Sequence, residues 1–348
     1  MSADGQRLTI RDVAARAGVS RAAVSLAFNN KPGVSETTRA HILRTAEVMG
    51  WEPNRSARAR GSRGTGGAGT GTVGLAIRRP ARQLGLEPFY MDFISGIGSV
   101  LTDRAGALLL RLVRDLDEEI ELQRHWWRSG QIAGSVLVDL QRDDPRVPAL
   151  AKLGMPVIAV GHPSLTGPFT ALWTDDGTAV TEAVRYLAAL GHRSVAHVGG
   201  PAELGHSALR TEAFTAALTE LGLTDGHRRV TDYSGDDGAR ATRSLLASAA
   251  RPTAIVYDND LMAVAGLAVA AEMGLRVPAD VSLLAWDDSQ LCRLTHPSLS
   301  AMSHDIHAFG AEVARAMYDV LGGERVAARQ VATPSLVPRG STGPPPPP

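Results

Sequence analysis

A chain of 348 residues is too long for one ordinary hydrophobic core, so two or three domains are expected. Hydrophobic residues at 44% and charged residues at 21% are ordinary for a globular protein, and the single cysteine, Cys292, excludes a disulfide framework and a cysteine-based zinc site. Net charge is zero but uneven: residues 1–64 carry eleven Lys/Arg against five Asp/Glu, a net of +6 that leaves −6 on the remainder, so a polyanionic partner is expected for the head only.

The opening MSADGQRLTI has no apolar segment of the kind a secretory signal needs, and no run approaches the ~18 apolar residues of a membrane span. A cytoplasmic protein is expected. Three short helices come first. Thr9 can cap a helix with Ile10, Val13, Ala14 and Ala17 on one face, and Gly18 ends it. Ser20 caps a second, bearing Val24, Leu26, Ala27 and Phe28. Ser35 caps a third, with Ile42, Leu43, Ala46, Val48 and Met49, closed by Gly50. A short Arg/Ala segment covers 54–60, and the Gly/Thr composition of 62–72 predicts a flexible linker.

From Thr72 short apolar runs alternate with helical ones. TVGLAI, ALLLRLV, GSVLVDL, PVIAVG, SVAHVGG, RRVTDY, TAIVYDN and VSLLAWD read as strands. Helices are expected around 90–105, 117–129, 177–190, 209–221, 237–249 and 261–273. That alternation predicts parallel sheets covered on both faces, enough units for two of them, and ligands at the carboxyl ends of their strands. The end of the chain, VATPSLVPRGSTGPPPPP, finishes in a proline run read as a disordered tail over 342–348. LVPRGS has the form of an engineered protease site, but the strand before it runs straight into it, which reads as native sequence.

The most specific motif lies in the head. Two capped helices joined by a tight glycine turn form a helix-turn-helix, whose second helix enters the major groove N-terminus first. Arg21 and Ala22 then face base edges, Arg21 suited to guanine and Ala22 to a thymine methyl. Thr9, Ser20, Ser25, Asn29 and Ser35 are candidate phosphate contacts. Other signals are weaker. The GxGxxG at 69–74 precedes a strand instead of following one, so it cannot cradle a pyrophosphate. His304 and His307 lack a second group of ligands, so neither a metal nor a cofactor is expected. Trp126 and Trp127 sit on a helix where at least one ring is expected in the core. No pairing of nucleophile and base supports an enzyme.

TIRDVAARAGVSRAAVSLAFNNKPGVSETTRAHILRTAEVMGWEPNRSARA resembles the head of the lactose-repressor/galactose-repressor family. The likeness continues through DDGTAVTEAVRYLAALGHRSVAHVGGP, LRTEAF, PTAIVYDNDLMAVAGLAVAAEMGLRVPADVSLLAWDD and PSLSAMSHD, in the family's order and spacing. The resemblance implies an all-α helix-turn-helix head over 1–61 with a hinge segment at 54–60, and an α/β, periplasmic-binding-protein-like core over 73–341. The core would have an N-lobe of about 73–173 and 303–332 and a C-lobe of about 174–302 and 333–341, joined by three crossovers around an effector. The function implied is a DNA-binding transcriptional regulator, a homodimer on a pseudo-palindromic operator, controlled by a small ligand of the sugar class.

Residue by residue, the resemblance places Arg210, Asn259 and Asp287 in the effector cleft, with Asp260 beside Asn259 and Tyr233 where the family often has an aromatic. Phe89, Tyr90 and Trp173 are further wall candidates, and His304 borders the cleft. A guanidinium, an amide and a carboxylate can hydrogen-bond neighbouring hydroxyls, and a ring can cover a sugar's apolar face. In the head, Asn54, Ala57 and Arg60 of the hinge join the DNA contacts. A transport protein would share such lobes, but the basic head and the lack of a signal segment oppose it.

Two departures from the family stand out. Leu26 stands where the recognition helix often has arginine, and Arg60 stands where the hinge usually offers a leucine wedge that kinks DNA through the minor groove. An arginine cannot be an apolar wedge, though it can occupy a narrow minor groove electrostatically. The chain is therefore expected to bend its operator less than wedge-bearing relatives do, and Arg60→Leu to increase the bend, as measured by circular-permutation gel shifts. A parent bend as sharp as in those relatives would contradict this.

Overall fold

The computed structural model describes residues 8–28, 32–51 and 71–347. Three helices form the head: α1 (Ile10–Ala17), α2 (Arg21–Phe28) and α3 (Glu36–Met49). Their ends are set by local chemistry. Asp12 accepts hydrogen bonds from the backbone N–H and the hydroxyl of Thr9 at 2.7 and 2.6 Å, and those bonds hold its carboxyl below the usual range. Ser20 caps α2 by accepting from the Ala23 N–H at 3.1 Å, and Ser35 caps α3 by accepting from that of Thr38 at 3.2 Å. Gly18 and Gly50 close α1 and α3 in the left-handed conformation, at φ 68° and 64°.

The head's small core is Val13, Ala14, Ala17, Val24, Ala27, Ile42 and Ala46, roofed by Trp51, whose ring meets Phe28 edge-on at 5.0 Å. Leu43 and Val48, counted with the apolar face of α3 in the sequence, are instead 40% and 86% exposed. One helical turn separates Ile42 from Ala46, and those two already face the bundle.

The rest of the described chain forms two six-stranded sheets. The first contains β1 (Thr72–Ile77), β2 (Ala107–Leu112), β3 (Gly134–Leu137), β4 (Val157–Val160), β5 (Thr170–Thr174) and, from late in the chain, β11 (Arg329–Ala332). The second contains β6 (Ser194–Gly199), β7 (Thr224–Val230), β8 (Ala254–Tyr257), β9 (Ser282–Trp286), β10 (Ser300–Ser303) and β12 (Ser335–Val337). Their orders are β11-β5-β4-β3-β1-β2 and β12-β10-β9-β8-β6-β7. All pairings are parallel except β10 with β12.

Helices cover both sheets. In chain order they are α4 (Ala81–Leu84), α5 (Pro88–Asp103), α6 (Leu116–Ser129), α7 (Arg146–Ala151), α8 (Pro163–Thr166), α9 (Asp176–Ala189), α10 (Gly205–Glu220), α11 (Gly235–Leu246), α12 (Asp260–Glu272), α13 (Gln290–Leu294) and α14 (Ile306–Leu321). Most strands are buried on both faces, which is why they read as continuous apolar runs such as TVGLAI and SLLAW.

The chain passes between the sheets three times: from β5 to α9, from β10 to α14 and from β11 to β12. Helix α14 returns to the first sheet and lies against α5. That approach is close because Gly96 and Gly310 face it: a Cβ on Gly96 would lie 2.0 Å from the His307 carbonyl oxygen, and one on Gly310 2.2 Å from that of Phe93. Of the two neighbouring tryptophans, Trp126 is in the core, and Trp127 is partly buried and donates to the Leu153 carbonyl.

Two expectations need correction. The run read as a strand ending at Tyr233 is a strand from Thr224 to Val230, and Tyr233 follows it with φ 70°, which no regular strand accommodates. The tail read as disordered from 342 is tied to the second sheet at its start. Thr342 exchanges side-chain hydrogen bonds with Ser300 and Tyr186 at 2.7 and 2.8 Å, and the Gly343 N–H donates to Ser282 at 3.1 Å. Ser341 is fully buried, donating to the Leu283 carbonyl at 2.6 Å. Arg339, within LVPRGS, pairs with Asp288 at 2.7 Å. These polar anchors lie upstream of the proline run that dominates the local composition.

Candidate functional site

In the head, Arg21, Ala22 and Ser25 are all exposed at the start and outer face of α2. Thr9, Ser20 and Ser35 are exposed too, although each is also engaged at its own helix start. Arg39 donates to the Ala27 carbonyl at 2.9 Å, which braces the C-terminal end of α2 against α3. Leu26, one helical turn beyond Ala22, is only partly exposed and abuts Gly33. Asn29, Asn54, Ala57 and Arg60 lie outside the described residues.

A cavity of about 300 Å³ lies between the two sheets. Its lining comes from residues just past the carboxyl ends of strands: Arg79 after β1, Asp139 after β3, His162 after β4, Asp176 after β5, Tyr233 after β7, Asp258 to Asp260 after β8, Asp287 after β9 and His304 after β10. All nine residues expected at an effector cleft line it: Phe89, Tyr90, Trp173, Arg210, Tyr233, Asn259, Asp260, Asp287 and His304.

Arg210 is held on three sides. It donates to Asp176 at 2.7 Å and to the Asp258 carbonyl at 3.1 Å, and its guanidinium lies 4.2 Å from the Trp286 ring centroid. A guanidinium has five N–H donors, so three of Arg210's remain without a partner among the described residues. Asn259 is committed at both ends: it caps α12 by accepting from the Met262 N–H at 2.8 Å and donates to the Tyr233 carbonyl at 2.9 Å. Asp260 is buried with one carboxylate oxygen unpartnered among the described residues, and burial raises its pKa. Burial, with Asp260 nearby, pushes the Asp287 carboxyl up to about 8 against the opposing pull of Arg210.

Several lining groups were not anticipated. Arg79 pairs with Asp139 at 2.7 Å, and the Tyr90 hydroxyl donates to the same carboxylate at 2.8 Å. The Arg79 guanidinium also lies 5.7 Å from the Tyr90 ring centre and 5.8 Å from that of Tyr233, which belongs to the other sheet's side of the cleft. His206 and Ser207 both hydrogen-bond the Tyr233 hydroxyl, at 2.9 and 2.7 Å. A Cβ on Gly200 would fall 2.0 Å from the Tyr233 ring, so only glycine lets that ring settle there. Burial lowers the pKa of His206 and His304, which favours their neutral forms. His304 keeps both ring nitrogens unpartnered among the described residues. His162 meets Trp173 edge-on at 4.8 Å.

Three cleft residues other than glycine are left-handed: Asp139, Tyr233 and Asp287, at φ 51°, 70° and 64°. Such conformations persist where surrounding contacts over-determine them, and they concentrate at binding sites. Each of these carbonyls has a partner: Arg146 for Asp139 at 2.8 Å, Asn259 for Tyr233, and the Cys292 thiol for Asp287 at 3.6 Å.

A helix-turn-helix with an exposed recognition face, followed by two crossed-over sheets around a cleft, defines a DNA-binding regulator with a periplasmic-binding-protein-like core. Residues 9–54 match the family model described as bacterial regulatory proteins, lacI family, and 184–342 match that of the periplasmic binding protein-like domain. Similar curated proteins include the HTH-type transcriptional regulator CelR of Thermobifida fusca, 31% identical over 92% of this chain and 93% of that protein. Catabolite control protein A of Priestia megaterium is 30% identical over 95% of this chain and 97% of that protein. Among solved structures, a CelR–cellobiose complex aligns with a TM-score of 0.72 at 28% identity, covering 96% of this chain and 100% of that one. A LacI family regulator from Bifidobacterium animalis subsp. lactis aligns at 0.71 and 37% identity, covering 79% of this chain and 98% of that one. The chain belongs to the LacI family of bacterial transcription regulators. Among the described residues no helix is long and apolar enough to cross a membrane.

The raised Asp287 pKa has a consequence for stability. The folded chain keeps that proton up to about pH 8, whereas an unfolded Asp loses it near pH ~4. This residue's contribution to stability therefore falls as pH rises between those values. Asp287→Asn removes that contribution, so the stability of the variant relative to the parent is expected to rise from pH 5 to pH 8 in thermal denaturation. A difference that stays constant across the range would contradict the assignment.

Proposed function

We propose that this regulator is a repressor whose operator affinity is set by a small, neutral, polyhydroxylated ligand of the saccharide class, bound in the cleft between the lobes. The observation that carries the reading is Arg210: fixed by Asp176, the Asp258 carbonyl and the Trp286 ring, it offers its remaining donors beside carboxylates and aromatic walls. Donors, acceptors and apolar faces in one cavity suit vicinal hydroxyls on a pyranose-like ring.

Charge argues for a neutral ligand. Glu87, Asp139, Asp175, Asp176, Asp258 and Asp260 line the cleft, together with Asp287 held protonated to about pH 8, against only Arg79 and Arg210, and both arginines already pair with carboxylates. A sugar phosphate or uronic acid would meet uncompensated negative charge. The relative solved with cellobiose supports the saccharide class without naming this chain's ligand.

The mechanism is linkage. The ligand binds one arrangement of the lobes better than another, and it can shift the equilibrium only by that difference in affinity. A dimer, with two heads on a pseudo-palindromic operator, converts the change at its N-lobes into a change in head spacing. Arg21 and Ala22 read base edges, while Thr9, Ser20, Ser25, Asn29 and Ser35 contact phosphates. Leu26, Asn54, Ala57 and Arg60 complete the DNA set. The division of the chain follows: head over 1–61, linker over 62–72, and the two-lobe effector core beyond. The protein acts in the bacterial cytoplasm without catalysing a reaction.

A thermal-shift screen of neutral mono- and disaccharides, nucleosides and sugar phosphates tests this. A cognate ligand at 100 times its Kd stabilises by about 2.7 kcal/mol. At least one neutral saccharide is expected to raise the parent's Tm, to have no effect on Arg210→Met, and to change retardation of the chain's own promoter DNA. Stabilisation by sugar phosphates alone, or no retardation of that DNA with or without ligand, would overturn the reading.

A further inference from the structure

Behind the first-sheet wall of the cleft lies a buried ionic triad, none of whose members lines the cavity. Arg146, at the start of α7, donates from Nη1 to Glu119 at 2.9 Å and from Nη2 to Asp144 at 2.7 Å. The three side chains are 2%, 1% and 0% exposed. The same Nη2 donates to the Asp139 carbonyl at 2.8 Å, and Asp144 accepts from the Gln141 N–H at 2.9 Å. The triad thus grips both ends and the middle of the segment 139–144, in which Asp139 and Asp143 are left-handed at φ 51° and 55°.

That segment has two faces. On one, the Asp139 carboxylate takes Arg79 and Tyr90 inside the cleft. On the other, it meets the second lobe. The Gly205 N–H donates to the Leu140 carbonyl at 2.7 Å, Gln141 and Leu204 form an isolated antiparallel bridge, and Arg142 pairs with Glu212. A single short loop therefore carries a cleft carboxylate and a backbone bridge between the lobes.

Stability is a poor explanation for the triad. A buried ion pair loses its hydration, and apolar side chains of similar volume often fill such a space as well or better. Here the cost is not fully offset: Glu119 Oε1 and both polar atoms of Gln123 are buried without a hydrogen-bond partner among the described residues. Apolar packing could not hold a carbonyl and two left-handed residues in register, whereas the fixed fork of a guanidinium can.

We propose that Arg146 is a positioning residue, holding loop 139–144 so that Asp139 faces the cleft while Leu140 and Gln141 dock on the second lobe. It thereby couples the shape of the ligand site to contact between the lobes. The coupling to ligand rests on the reading of the cleft as an effector site; the bridge itself does not.

Gly205 supplies a direct readout. As the first residue of α10, it has no acceptor for its N–H within its own helix, so Leu140 is its protector. Hydrogen exchange of the full ligand-free chain, resolved to Gly205 and to β3, is compared between the parent and Arg146→Lys, which keeps the charge and loses the fork. At least tenfold faster exchange at Gly205 is expected, with β3 unchanged. Should Arg146→Lys fail to fold, Asp144→Asn is read instead, and the same selective loss is required. Parent-like exchange at Gly205, or equal acceleration at Gly205 and β3, overturns the proposal. Because no ligand is added, this result stands apart from the saccharide screen, and either reading can fail alone.

Discussion

The polypeptide crosses between its two sheets after Thr174, Ser303 and Ala332, always on the side where the strands end. That constraint organises the molecule. It puts the carboxyl ends of both parallel sheets around one cavity, and it joins the lobes through three short connections. Asp176 and His304 lie immediately beyond the first two of these connections and line the cavity. Whatever occupies the cavity therefore lies beside residues adjoining the connections between the lobes.

The polar groups of the cleft are arranged in depth. Arg210 is aimed by Asp176 and Trp286, Tyr233 by His206, Ser207 and Asn259, and Asp139 by Arg79, Tyr90 and Arg146. Groups fixed this way lose little freedom when a ligand arrives, which favours affinity and discrimination. The left-handed conformations of Asp139, Tyr233 and Asp287 belong to the same arrangement. Backbone strain is retained where it points a side chain at the cavity, and hydrogen bonds from Arg146, Asn259 and Cys292 to the three carbonyls maintain it.

What the sequence revealed followed from short-range physics. Helix caps are decided within four residues, so Ser20, Ser35, Gly18 and Gly50 were readable directly. Buried parallel strands announce themselves as apolar runs, and cleft residues such as Arg210 and Asp287 were reached through a family likeness and not through pattern. What the sequence hid depends on contacts between distant segments. QRDDPR looks like a solvated charged turn, yet Arg146 and Asp144 are buried because Glu119, a helical turn of a different element, closes the pair. Arg79 was passed over because its partners Asp139 and Tyr233 are remote in sequence. Asn259 was read as a ligand contact; it does line the cavity, but one N–H and one lone pair of its amide are taken by a carbonyl and a cap, a geometry visible only once Tyr233 is placed. The tail misled because composition speaks for the prolines and says nothing of Ser341 and Thr342, whose hydroxyls are anchored in the second sheet.

The central claim is that ligand and operator affinities are two readings of one lobe equilibrium. Linkage makes it testable without knowing the direction of the switch, because a ligand that changes operator affinity by some factor must have its own affinity changed by operator DNA by the same factor. Fluorescence anisotropy with promoter DNA, and calorimetry of the cognate saccharide with and without that DNA, measure the two factors at one salt concentration. The account predicts equal factors, each within the roughly 5–150-fold range usual for allosteric coupling. A saccharide that binds the cleft tightly yet leaves operator affinity unchanged would contradict it.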